Sequence, residues 1–264
     1  MLIFLKLGGS LITDKAHTRA PRHAVIQRLA GEVAEARAER PELALVIGHG
    51  SGSYGHVEAK RYGTARGVST PEEWRGMAEV WRVADLLNRV VIDAFAEAGI
   101  PVMRFSPSSG GIAQSGRVVA LPSEPVRMAL EGGLVPVVYG DVMFDQERGG
   151  MIASTEATFA YLASRLHPQR ILLAGLERGV YSDFPAGRTV ISELTGQAWG
   201  ALRANVGGSV NADVTGGMAS KVQAMMDVVE SLPGLRALVY SGEVPGATCR
   251  ALVGEDIEGT WVCA

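Results

Sequence analysis

Leu2-Ile3-Phe4-Leu5-Lys6-Leu7-Gly8-Gly9-Ser10 opens the chain as a short apolar run that ends on two glycines. Such a run reads as a buried strand closed by a tight turn. Residues 21–38 follow with Ala24, Val25, Leu29, Val33 and Ala36 at roughly helical spacing. Leu43 to Ile47 is a second buried run, and it leads into Gly48-His49-Gly50. Strand, helix, strand is the unit of a parallel sheet, because parallel neighbours need a crossover long enough to hold a helix.

The alternation continues. Thr70-Pro71-Glu72-Glu73 combines a capping residue, a first-turn proline and acidic residues, and it starts a helix expected to run to Ala98 before Gly99. Strands are expected at 101–105, 134–139, 170–173, 235–240 and 260–262, with part of a hairpin at 118–121. Helices are expected at 125–130, 154–166, 192–202 and 214–231. This order predicts an α/β fold, a three-layer α/β/α sandwich around a mainly parallel sheet. With no internal repeat and no linker, residues 1–264 form one expected domain. Its single continuous sheet has two functional halves meeting near residue 166.

At 264 residues, 47% hydrophobic and 20% charged, the chain can bury a substantial core and does not read as disordered. A net charge of −3 leaves no footprint for nucleic acid or an anionic membrane, so neither is an expected partner. The opening apolar run is too short for a signal segment or a membrane span. Cys249 and Cys263 lack metal spacing and a disulfide framework. A soluble cytoplasmic protein with reduced thiols is expected.

Only four residues are lysine, Lys6, Lys15, Lys60 and Lys221, against 21 arginines. A chain that uses arginine so freely keeps lysine where a compact ammonium is needed. Lys6, Lys15 and Lys221 fall in or beside glycine-rich motifs and are read as functional. Lys60 is read as a chance survivor.

Three motifs carry the chemistry. In Lys6-Leu7-Gly8-Gly9-Ser10 the glycines let backbone N–H groups approach an anion, and Lys6 supplies the charge. Gly50-Ser51-Gly52-Ser53-Tyr54-Gly55-His56 matches G-x-G-x-x-G. A dinucleotide fold would need an acidic residue at a strand end about twenty residues on, where Glu72 and Glu73 instead open a helix. A phosphate-cradling loop with His56 as an anion donor is the reading kept. Asp213-Val214-Thr215-Gly216-Gly217-Met218 leads into a helix with Lys221 one turn inside, a polyphosphate-binding arrangement. No G-x-x-x-x-G-K-[ST] sequence is present, so the chain is not a P-loop enzyme.

These motifs, together with Val138-Tyr139-Gly140-Asp141-Val142, resemble in order and spacing the amino acid kinase superfamily over nearly the whole chain. His56, Thr13-Asp14-Lys15, Val244-Pro245-Gly246 and Gly259-Thr260 resemble its isopentenyl phosphate kinase family in particular. Fosfomycin kinases share the histidine. The resemblance implies a homodimeric enzyme that transfers phosphate from Mg2+-ATP to isopentenyl phosphate, in isoprene biosynthesis by a mevalonate pathway. It gives residues 1–166 to the acceptor and 167–264 to the nucleotide. By position, Lys6 and Lys15 would neutralise the transferring group. Gly8, Gly9 and Ser10 would line the phosphates. Ser51, Gly52 and His56 would hold the substrate phosphate and the transferring group, and Gly140 would contact the acceptor. Gly216, Gly217 and Lys221 would hold the donor phosphates, with Tyr181 also on the nucleotide side.

Two segments depart from the family. Ser154-Thr155-Glu156 stands where Ser-Gly-Asp is usual, so Glu156 would be the acid that orients the lysines. Gly175-Leu176-Glu177-Arg178-Gly179 replaces Thr-Asp-x-Asp-Gly beside the expected nucleotide. Met77, Val80, Trp81, Ala84 and Leu87 on the 70–98 helix could floor a pocket for a prenyl tail or form a plain core stripe. The competing functions are a fosfomycin-type or amino-acid kinase, and a non-catalytic nucleotide-binding protein.

Overall fold

The computed structural model describes residues 1–183, 189–205 and 217–264, leaving out the side chains at 56, 65 and 203–205. The chain begins with β1 (Leu2–Leu7), α1 (Gly9–Ile12), α2 (His23–Glu39), β2 (Ala44–His49), α3 (Gly52–Tyr62) and α4 (Pro71–Glu97). There follow β3 (Val102–Arg104), β4 (Ile112–Gln114), β5 (Arg117–Ala120), α5 (Glu124–Glu131), β6 (Val135–Tyr139), β7 (Asp141–Asp145) and β8 (Gly149–Ala153). The remainder is α6 (Thr155–Leu166), β9 (Arg170–Gly175), β10 (Glu193–Leu194), α7 (Gly196–Asn205), α8 (Gly217–Ser231), β11 (Arg236–Ser241), α9 (Ala247–Val253) and β12 (Thr260–Val262).

The main sheet has the order β10-β12-β11-β9-β1-β2-β6-β3, with β1 paired in parallel to both β2 and β9. The pairings from β11 through to β3 are parallel, and β12 runs antiparallel to β11. Side-chain alternation splits β1 between two cores. Ile3, Leu5 and Leu7 pack with α2, α4 and α9, while Phe4 faces α5, α6 and α8. This is the expected three-layer α/β/α sandwich. Lys6, two residues from Phe4, is thereby directed to the α6 and α8 side of the sheet.

Three sequence expectations need correction. The sheet is not single: β5-β4-β7-β8 form a second, four-stranded sheet. Its β7–β8 hairpin was invisible as a strand signal because residues 141–153 mix charged residues and glycines with the apolar ones. The 192–202 helix starts instead at Gly196, since Glu193 and Leu194 pair with Trp261 and Val262. The glycine loop expected to reach His56 ends early, and α3 begins at Gly52, a residue held at φ +51°. The short helices α1 and α9 have too few residues to show a period, and neither was expected.

Thr70 caps α4 as anticipated: its side chain accepts from the Glu73 N–H, and the Glu73 carboxylate accepts from the Thr70 N–H in return. The C-terminal half of α4 enters the large core through Val83, Leu87 and Val91. Its N-terminal half forms a smaller cluster, with Met77 and Val80 against Ala59, Val68 and Val142. Trp81, expected on the same stripe, is exposed.

Gly48 on β2 lets α6 approach the sheet. A Cβ there would lie 2.6 Å from the Phe159 ring and 2.5 Å from the Thr155 methyl. Gly48→Ala should therefore destabilise the fold by about 1–3 kcal/mol through overpacking. Urea denaturation would show it as a lower midpoint. An unchanged midpoint would mean that α6 can retreat at no cost.

Candidate active site

The site lies where parallel strands end and helices begin. Gly9 and Ser10 of α1, Ser51, Gly52 and Gly55 around the start of α3, and Ser154 to Glu156 at the start of α6 all border one cavity of about 300 Å³. Helix N-termini carry partial positive charge and unpaired N–H groups, so this convergence favours an anion.

Backbone proximity explains the glycines. A Cβ on Gly9 would lie 2.6 Å from the Gly52 nitrogen, and one on Gly50 would lie 2.9 Å from the Gly9 nitrogen. The first two glycine turns therefore sit back to back, closer than any side chain permits. Thr13 joins them: its hydroxyl donates to the Gly9 carbonyl at 2.7 Å and accepts from the Ser53 N–H at 2.9 Å. Gly140 follows the adjacent strand, and its N–H donates to the His49 carbonyl at 2.8 Å. The Thr155 hydroxyl donates to the same carbonyl at 2.7 Å, fixing the start of α6.

Lys6 is 6% exposed and forms an ion pair with Glu156. Ser154 caps α6 by accepting from the Ala157 N–H at 3.1 Å, which puts Glu156 in the first turn, facing the sheet. Burial pushes the Glu156 carboxyl up. The Lys6 charge and hydrogen bond outweigh it, Lys221 adds to them, and the group is held below the ordinary carboxylate range. Lys6, Lys15 and Lys221 all border the cavity. Lys60, the control of the lysine argument, is exposed on α3 and lies outside that lining.

Other expected residues are placed differently. Gly8 bonds back to the sheet through its N–H and the Ala174 carbonyl at 2.8 Å and does not border the cavity. Gly217 opens α8 at φ +64°. Tyr181 pairs with Val190, and its hydroxyl accepts from the Arg178 N–H at 3.3 Å. Neither residue is in the lining. Gly216 and the His56 side chain lie outside the described residues.

The sequence reading missed several groups. Ala59, Met151 and Ile152 join Val80 in giving the cavity an apolar part. Of the five α4 residues proposed as a pocket floor, Val80 is in the lining. Arg148, from the β7–β8 turn, also borders it, and lysine scarcity could not flag an arginine. His49 is fully buried between the Gly50 carbonyl and the Asn88 side chain, at 3.1 Å from each, and stacks on Tyr139. Its burial lowers its proton affinity despite those two hydrogen bonds.

Asp141 is 1% exposed and borders the cavity. Burial pushes its carboxyl up to about 6, against opposing hydrogen bonds from the Ser108 and Val142 N–H groups. The folded state thus holds a proton that the unfolded chain, with a value of 3.8, releases earlier. Stability contributed by this group is present below the unfolded value and is lost as pH rises through the folded one. Asp141→Asn should flatten the fall in unfolding free energy between about pH 4 and pH 6. Denaturant titrations at several pH values would detect it, and an unaltered pH profile would remove Asp141 from that role.

Comparison with known proteins agrees with this geometry. The amino acid kinase family model matches residues 1–241. The isopentenyl phosphate kinase of Methanothermobacter thermautotrophicus is 34% identical, over 98% of each chain. That of Haloferax volcanii is also 34% identical, over 94% of this chain and 98% of its own. A solved structure described as isopentenyl phosphate kinase superposes with a TM-score of 0.83 at 30% identity, covering 99% of this chain and 100% of that one. With its paired glycine turns and its lysines gathered at helix N-termini, the chain belongs to the amino acid kinase family and, within it, to the isopentenyl phosphate kinases.

Proposed function

We propose that this enzyme transfers the terminal phosphoryl group of ATP to isopentenyl phosphate, giving isopentenyl diphosphate for isoprenoid biosynthesis. One observation carries the reading: a single cavity is bordered by three lysines, three helix N-termini and the apolar side chains Ala59, Val80, Met151 and Ile152, of which Ala59, Val80 and Ile152 pack in one cluster. Such a cavity suits an acceptor with a phosphate head and a hydrocarbon tail. An amino-acid acceptor would leave the apolar part unfilled and its own ammonium among cations, which disfavours the alternative.

Phosphoryl transfer is chiefly positioning and charge stabilisation. Lys6 and Lys15 would neutralise the group in transit, with Glu156 holding Lys6 in place. Gly9, Ser10, Ser51 and Gly52 would offer N–H groups to phosphate oxygens, with Gly8 shaping the first turn. Gly140 would meet the acceptor. Gly216, Gly217 and Lys221 would hold the donor phosphates, with Tyr181 on the nucleotide side. His56 would donate to the acceptor phosphate. The acceptor is already ionised, so no general base is needed.

Among the described residues no group of three His, Cys, Asp or Glu side chains could hold a metal ion. Glu156 is also committed to Lys6. A magnesium ion would come with the donor's phosphate oxygens, where it would neutralise charge. The proposal extends to an acceptor half over 1–166, a nucleotide half over 167–264, a homodimer, and a place in a cytoplasmic mevalonate pathway. Among the described residues no helix is long and apolar enough to cross a membrane.

The test is steady-state turnover of ATP with isopentenyl phosphate, fosfomycin and amino-acid acceptors, on the wild type and four Lys→Arg variants. Only isopentenyl phosphate should be turned over efficiently. Lys6→Arg and Lys15→Arg should lose most of the transfer, Lys221→Arg should chiefly raise the KM for ATP, and Lys60→Arg should be neutral. Four variants behaving alike would refute the lysine assignments, and preference for another acceptor would refute the substrate.

His56→Ala should lower kcat/KM by roughly 2–4 kcal/mol of transition-state stabilisation while leaving the fold intact. Circular dichroism and the same assay would check both parts. Wild-type turnover would take His56 out of the reaction.

A further inference from the structure

We propose that Arg19 and Glu58 form a latch that fixes the Lys15 loop against α3, making both of them positioning residues for phosphoryl transfer. The inference rests on reading Lys15 as a cation that meets the transferring group.

The loop from Thr13 to Pro21 is closed at its base by a bridge between those two residues and by the Asp14 N–H donating to the Ala20 carbonyl at 2.9 Å. At its tip Asp14 accepts from the Ala16 N–H and pairs with His17, each at 2.8 Å and exposed. These contacts shape the loop, and α3 holds it in place. The Arg19 and Ala20 N–H groups donate to Ser53, at 3.3 Å to its carbonyl and 3.4 Å to its hydroxyl. The Arg19 guanidinium reaches Glu58 at 2.9 Å.

Both partners of that ion pair sit in unfavourable states. The Glu58 side chain is 8% exposed, and among the described residues its Oε2 has no hydrogen-bond partner, with Arg61 3.7 Å away. A buried carboxylate with an unsatisfied oxygen is costly, and a well-packed apolar residue there would be no worse for stability. Arg19 holds φ at +55°, a left-handed conformation that brings a side chain against its own backbone. Strain on a non-glycine residue persists where the surroundings dictate it, and such residues cluster at ligand clamps.

What the contact achieves is position. Lys15 is exposed and borders the cavity, so where its ammonium can reach depends on where its backbone is held. The helix it is fixed to is the one whose first turn borders the same cavity. The latch therefore sets the distance between the Lys15 ammonium and the N–H groups that would hold the same phosphate.

The experiment compares Arg19→Gly, Arg19→Lys, Lys15→Ala and the double variant Lys15→Ala with Arg19→Gly. Glycine accepts φ +55° without the Cβ clash, so Arg19→Gly relieves the backbone while cutting the tie. It should lower kcat about tenfold, change the KM for ATP less than about twofold, and leave the thermal midpoint unchanged or raised. Arg19→Lys should recover part of the lost rate. In the Lys15→Ala background, removing Arg19 should cost nothing more. A lowered midpoint with wild-type kcat would show a merely structural tie and overturn the latch. So would a full tenfold loss on top of Lys15→Ala. Wild-type kcat in Lys15→Ala alone would instead overturn the reading of Lys15.

Discussion

Lys6 and Glu156 meet as an ion pair in the middle of the protein, and much of the surrounding structure is arranged to let them. Lys6 lies on β1, with Gly48 and Leu173 as its register partners on the two flanking strands. An aliphatic side chain at that position would join Phe4 in the core without any desolvation cost. A buried ion pair is weak support for a fold, because water gives up both charges before they attract each other. Stability alone therefore does not account for its presence in a central strand, and the neighbouring residues accommodate it. Gly48 makes room for α6, Ser154 sets where that helix starts, and Thr155 anchors it to the His49 carbonyl.

The same end of the sheet gathers partial positive charge from α1, α3 and α6 and full charge from three lysines. Opposing it are two carboxylates with different states. Glu156 is held ionised by Lys6, whereas Asp141, pushed up chiefly by burial, holds its proton to a higher pH. Two acids bordering one cavity are thus separated by environment, the usual sign of a site tuned for charge rather than for packing. Oxygen-rich ligands would find donors already fixed in place, which is the condition for electrostatic catalysis without reorganisation.

The apolar part of the cavity lining comes largely from other elements of the fold. Met151 and Ile152 come from the second sheet, Val80 from α4 and Ala59 from α3, with Arg148 from the β7–β8 turn. Asp145 holds that turn and its neighbour together, accepting from the Ser115, Gly116, Glu147 and Arg148 N–H groups.

Much of this was legible in the sequence. The apolar runs at 2–7 and 43–47, the capping box at Thr70 and the glycine turns specify a parallel α/β sandwich through local rules, since strand burial, helix capping and positive φ are properties of a few adjacent residues. Lysine scarcity marked Lys6, Lys15 and Lys221, and the structure gathers all three at one cavity while leaving Lys60 outside. Tertiary structure decided what depends on distant segments. The second sheet, the early start of α3 at Gly52 and most of the apolar lining arise from contacts between elements far apart in the chain, as does the pairing of Lys6 with Glu156 across 150 residues, which the family resemblance anticipates. Thr13 and Glu58 show the limit most clearly. Neither a threonine after a short helix nor a glutamate on an amphipathic one announces itself, because a side chain acquires such a role only when another segment is packed against it.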